Sequence, residues 1–322
     1  MDIKLFHDLS PQELGSNYFK GIDGFFMSPI WWLLKPKAYD FVTNIWQKGG
    51  IKKAYNIPDD VLYIQGADRI LERPKDVKEG EPYQMFIRPT ISALKEAVCL
   101  NPDIIQLLDV PLDDNDTEKK IVEKIAINHD IVERSAKWLI ENKYRSSDRY
   151  KNGIHKFSKF MLLGVCHGDL PDIYAEEAKF MKDHCEIIGI PIAGLLSRVK
   201  GLDMRQRYDY VFQVVGKVLD EVGNTRPLQM MGYGLSKITE LSRIVGLAKK
   251  YDATIWFESS TIIRSSVHAR KLLSINPLTD DIDYVNIARV EGADDMSPQE
   301  IFVENNQTLK GIITQTLKHA SL

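Results

Sequence analysis

From about residue 85 the chain alternates short apolar runs with amphipathic stretches. The apolar runs cover residues 104–108, 160–165, 186–192, 228–231, 253–257 and 284–288. Each has the length of a buried strand. The stretches between them carry helical spacing. One holds Leu170, Ile173, Tyr174, Ala178, Met181 and Cys185; a second holds Tyr208, Val211, Phe212, Val215, Val218, Leu219 and Val222; a third holds Ile238, Leu241, Val245 and Ala248. Strand followed by helix, repeated, predicts a parallel sheet. Six or more such units with no Gly-x-Gly-x-x-Gly turn opening a helix predict a (β/α)8 (TIM) barrel rather than a doubly wound sheet.

Outside these units the pattern is less regular. Residues 25–34, Phe-Phe-Met-Ser-Pro-Ile-Trp-Trp-Leu-Leu, are dense in large apolar groups and predict an extra strand and loop that close the barrel. A stacking or membrane-surface role for Trp31 and Trp32 is the sharper alternative. Residues 66–84 read as a surface loop. Residues 113–130 are highly polar and begin a helix running to about Asn142. Residues 143–159 carry six Lys or Arg, Arg145 and Arg149 among them, and read as mobile or ligand-facing. The expected organisation is one domain over residues 1–322. Residues 1–84 supply closing strands and a loop, 85–290 the core βα units and 291–322 a C-terminal helix.

Composition narrows the classes. At 44% hydrophobic the 322 residues suffice for a large core, and the net charge of −3 requires any nucleic-acid partner to be met by a local basic patch. Cys99, Cys166 and Cys185 are far apart and odd in number. They form neither a disulfide framework nor a zinc cluster and fit a reducing cytoplasm. The first residues lack the apolar core of a signal peptide, and no run reaches the length of a membrane span, so a cytoplasmic protein without a membrane partner is expected.

Functional residues of a βα barrel lie at the C-terminal ends of its strands. Here those ends read Leu108-Asp109, Val165-Cys166-His167-Gly168-Asp169, Ala193-Gly194-Leu195, Met230-Met231-Gly232-Tyr233-Gly234 and Trp256-Phe257-Glu258, with Arg264 six residues on. A carboxylate ending a buried strand is costly unless it is paired or used. Two carboxylates, one histidine and glycine-rich turns around one mouth suit recognition of a flat heterocycle and attack on an anomeric carbon. Each residue also has a plain structural reading. Asp109 could cap a turn, His167 could be a satisfied core histidine, and Glu258 could pair with Arg264. Cys166 and His167 are adjacent, and adjacent strand residues point to opposite faces, which disfavours a Cys-His nucleophile pair.

The order of these motifs is similar to that of the tRNA-guanine transglycosylase superfamily, over roughly residues 85–275 and more weakly 20–70. The resembling segments are Asn101-Pro102-Asp103-Ile104-Ile105-Gln106-Leu107-Leu108-Asp109, Arg134-Ser135-Ala136-Lys137-Trp138, Gly164-Val165-Cys166-His167-Gly168, Ala193-Gly194-Leu195, Met230-Met231-Gly232-Tyr233-Gly234 and Trp256-Phe257-Glu258 with Arg264. Ser259-Ser260 after Glu258 is closer to the archaeal and DNA-modifying branches than to the bacterial one. The resemblance implies an enzyme that exchanges guanine in tRNA or DNA for a 7-deazaguanine base, with Glu258 as nucleophile. It implies base contacts from Asp109, His167, Gly194, Leu195, Met231 and Gly232, no cofactor, and a possible homo- or heterodimer. Arg264, Arg270, Lys271, Arg145 and Arg149 are the candidate phosphate contacts, a solvated basic face being their plain reading.

Three departures from the family pattern bear on this. The family's nucleophilic Asp is Glu258 here, and one added methylene moves a carboxylate by about 1.5 Å. The family's second catalytic Asp, in an Asp-Ser-Gly-Gly-Phe turn, faces Ile64-Gln65-Gly66-Ala67-Asp68, which leaves Asp68 or Asp23 to substitute. No Cys follows Cys185, so the family's zinc site is absent, and no length remains within these residues for a further RNA-binding domain. Two alternatives therefore stay open beside the exchange enzyme: a non-catalytic base-binding or scaffold subunit, and an N-glycoside hydrolase.

Overall fold

A computed structural model describes the chain except for residues 1, 12, 16–17, 28–37, 67–89, 114, 143, 145–159, 200, 235–236, 277, 294 and 320–322. Eight parallel strands form a closed barrel: β1 (Asp2–Asp8), β2 (Gly24–Met27), β3 (Leu62–Gly66), β4 (Ile104–Gln106), β5 (Met161–Val165), β6 (Ile187–Pro191), β7 (Leu228–Met231) and β8 (Thr254–Ser259). β8 returns to β1 and closes the ring, with Asp2 opposite Thr254 and Phe6 opposite Glu258. The expected (β/α)8 architecture is the one found. The strand-forming runs from residue 104 to 257 became β4 to β8 within a residue or two, except that the first run ends at Gln106.

The helices are α1 (Ala38–Gln47), α2 (Ile51–Ala54), α3 (Thr90–Leu100), α4 (Glu118–Glu141), α5 (Pro171–His184), α6 (Ile192–Arg198), α7 (Met204–Val222), α8 (Ile238–Lys250), α9 (Thr261–Ile263) and α10 (Pro298–His319). Their starts follow local chemistry. Thr117 caps α4 by accepting from Lys120 N–H, and Asp203 with Gln206 forms a reciprocal capping box at α7. Among the described residues no helix is long and apolar enough to cross a membrane.

The apolar run at 284–288 is not a barrel strand. It falls in β10 (Ile282–Asn286), antiparallel to β9 (Lys271–Ile275) in a separate two-stranded sheet, and in the short 3-10 turn Ile287–Arg289. The barrel is already closed once β8 meets β1, so a ninth strand has no edge to join. Trp31, Trp32 and the 66–84 loop beyond Gly66 lie outside the described residues.

Strand alternation divides the core in two. Phe6, Phe26, Ile64, Ile104, Leu163, Val165, Ile187 and Trp256 fill the barrel, whereas Leu5, Phe25, Tyr63, Ile105, Ile188 and Phe257 face outward into the larger cluster under the helices. Two glycines make room for the interior rings. A methyl on Gly66 would lie 2.5 Å from the Phe26 ring, and one on Gly24 would overlap Phe6 and sit 2.7 Å from the Leu62 carbonyl oxygen. Gly24→Ala is expected to lower unfolding free energy by about 1–3 kcal/mol, read from urea denaturation. A wild-type midpoint in this variant would show that the interior relaxes freely.

The last helix is tied to the first strand by a polar clamp. Asp23 accepts from Leu5 N–H at 2.9 Å and from Lys310 Nζ at 2.7 Å. Asn306 Nδ2 donates to the Gly21 carbonyl at 2.9 Å, and Asn306 Oδ1 lies 3.0 Å from His7 Nε2. His7 is 1% exposed. Burial lowers its pKa from 6.5 to about 4, against the upward pull of Asn306 and Asp23, while Lys310 adds to the lowering. Because the folded value lies below the unfolded one, the unfolded chain binds the extra proton between these limits. The contribution is complete above pH 6.5 and is lost as pH falls towards 4. Its size is about 3 kcal/mol. Urea midpoints taken from pH 7.5 to pH 4 should fall more steeply for wild type than for His7→Gln. Parallel curves would rule out His7 as the buried neutral group.

Candidate functional site

The C-terminal end of the barrel gathers the chemistry. On β8, Trp256 points inward and Phe257 outward, so Glu258 returns to the interior at the mouth. Its carboxylate is half-buried and accepts from Gln229 Nε2 on β7, Nε2···Oε2 2.7 Å. The main chain at this point is laced to the next turn: Tyr233 N–H donates to the Glu258 carbonyl at 3.1 Å. Gly232 provides that turn with φ +66°, a conformation costly for other residues, and a side chain there would press on Ala193. Met231 packs on the barrel interior and lies beside Gly189 on β6, where an added methyl would meet its sulfur at 3.0 Å.

Just beyond β4 and β5, Asp109 and His167 form a buried pair, His167 Nε2 to Asp109 Oδ2 at 2.7 Å, with exposures of 7% and 3%. Both partners are fixed from behind. Asn128 on α4 bonds both backbone groups of Val110, accepting from its N–H at 2.6 Å and donating to its carbonyl at 3.1 Å. One turn earlier Lys124 bonds Asp113 at 2.7 Å, Asp116 at 2.6 Å and the Pro111 carbonyl at 3.0 Å. On the His167 side, Arg198 donates to the Gly168 carbonyl and Tyr210 OH to the Asp169 carbonyl. An imidazole held by a carboxylate has a fixed ring orientation. This pair can donate to, and accept from, the edge of a flat ligand.

The structure brings Glu258, Asp109, His167, Met231 and Gly232 to the same end of the barrel, each at or just past a strand terminus. Leu195 turns its side chain into the main core, 2% exposed, and so does not line the mouth with it. Gly194 lies in the short helix α6, where an added methyl would meet nothing within 4 Å beyond its own helix. Arg264 is exposed at the start of the π-helical segment Arg264–His268 that follows α9. Arg270 is exposed and donates to the Met296 carbonyl at 2.9 Å, and Lys271 begins β9. Asp68, Arg145 and Arg149 lie outside the described residues. Cys166 faces the opposite way from the mouth, in the main core, and burial pushes its thiol well above the ordinary value, which leaves it inert as a nucleophile.

Two polar residues were not singled out from the sequence. Gln106 and Gln229 are 4% and 0% exposed, and among the described residues the side-chain oxygen of each has no hydrogen-bond partner; the same holds for Trp256 Nε1. Buried polar atoms are normally satisfied; these three stand at inward positions of β4, β7 and β8, and His7 Nδ1 on β1 is likewise without a partner among the described residues. The signal was present in the strings Ile-Ile-Gln and Leu-Gln-Met-Met, where one amide interrupts an apolar run at an inward position. A scan against family models and a search of curated proteins each give no match for this chain.

Proposed function

We propose that this chain is a guanine transglycosylase-like enzyme that exchanges guanine in tRNA or DNA for a 7-deazaguanine base. The observation that carries the reading is the half-buried Glu258 carboxylate at the end of β8, at the same barrel mouth as the Asp109–His167 pair. The order of motifs in the sequence supports it independently, because every resembling strand-end segment falls at the C-terminal face, where barrel enzymes do chemistry.

In this reading the target guanosine leaves its stack and enters the mouth. A Glu258 oxygen attacks C1′ of the sugar. The C1′–N9 bond breaks, and guanine departs with the bonding pair and takes up one proton. The incoming base gives up one proton and attacks C1′, the C1′–O bond breaks, and the Glu258 carboxylate is regenerated. Asp109 and His167 grip the base edge, Asp109 accepting from ring N–H and amine groups. Met231 and Gly232 line its face. Arg264, Arg270 and Lys271 meet backbone phosphates, and binding weakens as salt rises. The chemistry requires no cofactor. The free cysteines fit a reducing compartment, for which the cytoplasm is our assignment.

The test is incorporation of labelled guanine, and separately of a labelled 7-deazaguanine base, into bulk tRNA and into duplex DNA. Incorporation into one polymer establishes the exchange and names the substrate. Release of guanine without incorporation would indicate a glycoside hydrolase. Retention of the base by the protein with neither reaction would indicate a non-catalytic base-binding subunit.

A further inference from the structure

The carboxylate of Glu258 does not reach outward from its strand. In the register of β7 against β8, Gln229 stands opposite Trp256 and Met230 opposite Phe257. Gln229 is therefore one inward step deeper in the barrel than Glu258. The 2.7 Å bond from Gln229 Nε2 to Glu258 Oε2 thus draws the carboxylate back down towards the barrel axis. Gln229 is fully buried, and its amide oxygen has no hydrogen-bond partner among the described residues. Among the described residues, the Glu258 carboxylate is the partner this amide has. A bond made purely for stability would be a poor use of the position, because an apolar pair of the same shape packs as well without desolvating a charge.

We propose that Gln229 is the positioning residue for Glu258, and that the added methylene of a glutamate at this position and the glutamine on β7 are a matched pair. A shorter side chain at 258 would withdraw its carboxylate by about one C–C bond, on the order of 1.5 Å, and break the contact. With glutamate the longer arm folds down onto Gln229, which fixes one rotamer and presents the carboxylate to the ligand in one orientation. The inference rests on the transglycosylase reading for its kinetic consequence and on geometry alone for the contact.

Two experiments separate those layers. The first uses no substrate. The Gln229 side-chain amide is followed by NMR in glutamine-labelled protein, assigned through its backbone links to Leu228 and Met230. Its protons should move with the titration of a single carboxyl, and that movement should vanish in Glu258→Gln. Amide protons indifferent to both pH and Glu258→Gln would overturn the proposal, whatever the activity. The second is the base-exchange assay. Gln229→Met removes one charge-assisted hydrogen bond and should lower kcat about 10- to 100-fold with KM nearly unchanged. Gln229→Glu is isosteric but donates only while protonated. Its activity should therefore recover towards acid pH, which a packing role would not produce. Wild-type kcat in Gln229→Met would overturn the proposal. Amide coupling to Glu258 in a protein that exchanges no base in either polymer would keep the positioning contact and discard the transglycosylase reading.

Discussion

Replacing Glu258 with glutamine is expected to abolish base exchange, by on the order of 10⁴-fold or more, while leaving the barrel folded. The carboxylate is half-buried, and the substitution keeps its shape, so stability changes little. In the proposed mechanism what disappears is the nucleophile, and enzymes that lose the covalent partner fall back on binding and orientation alone. Glu258→Asp should be milder but still severe, about 100-fold, because the carboxylate recedes from Gln229 and from the position of C1′. A direct physical readout accompanies the kinetics. Wild-type protein mixed with tRNA or duplex DNA and no incoming base should form an adduct that survives a denaturing gel, and Glu258→Gln should not. An adduct or full exchange in Glu258→Gln would remove Glu258 from the chemistry and with it the proposed mechanism.

Lys124→Met is expected to be the most destabilising single change on the polar side of the molecule, costing about 3–5 kcal/mol. The Lys124 side chain is 3% exposed and lies between Asp113 and Asp116, and Asp116 is 2% exposed. Burial pulls the lysine pKa down, yet the bonds to both carboxylates outweigh it and hold the ammonium above its ordinary value. Methionine fills the volume but removes the closer of the two cations at Asp116, leaving that carboxylate to Lys120 at 3.8 Å and the Asp113 N–H at 2.7 Å. The same cluster pins the segment that follows Asp109, so base contacts should weaken along with the fold. Urea unfolding at pH 7 measures the loss. The double variant Lys124→Met with Asp116→Leu should recover most of it, because no charge is then stranded. A single variant within 1 kcal/mol of wild type would mean that water already reaches this cluster.

The kinds of elements were legible in the sequence because local patterns encode them. Strands β4 to β8 appear as short apolar runs since both faces of a parallel barrel strand are buried. The long helices appear as apolar spacing of three and four. The N-terminal third was harder. β1, Asp-Ile-Lys-Leu-Phe-His-Asp, carries charged residues at both ends and a buried histidine whose Nε2 finds its partner on α10. The run at 284–288 looked like a strand, and β10 is one. Its partner and direction were wrong for the barrel, because periodicity reports burial and not which edge remains free.

The site divides in the same way. Glu258 and Asp109 could be found because a carboxylate ending an apolar run is costly and therefore conspicuous. Gln106 and Gln229 interrupt their strands just as visibly, but an amide carries no charge, and the sequence gives no hint that Gln229 reaches Glu258 on the next strand. Leu195 shows the reverse case. Its motif placed it near the ligand, and helix α6 turned its side chain into the core.

By itself the sequence determined the alternation of strand and helix, the helix caps and the residues standing at strand ends, since each depends on neighbours within a few positions. Only the tertiary structure decided that β8 closes on β1, that Asp109 meets His167 and that Glu258 bends down onto Gln229. These contacts join residues separated by 29 to 252 positions. Their geometry is set by barrel register and closure, to which no local propensity corresponds.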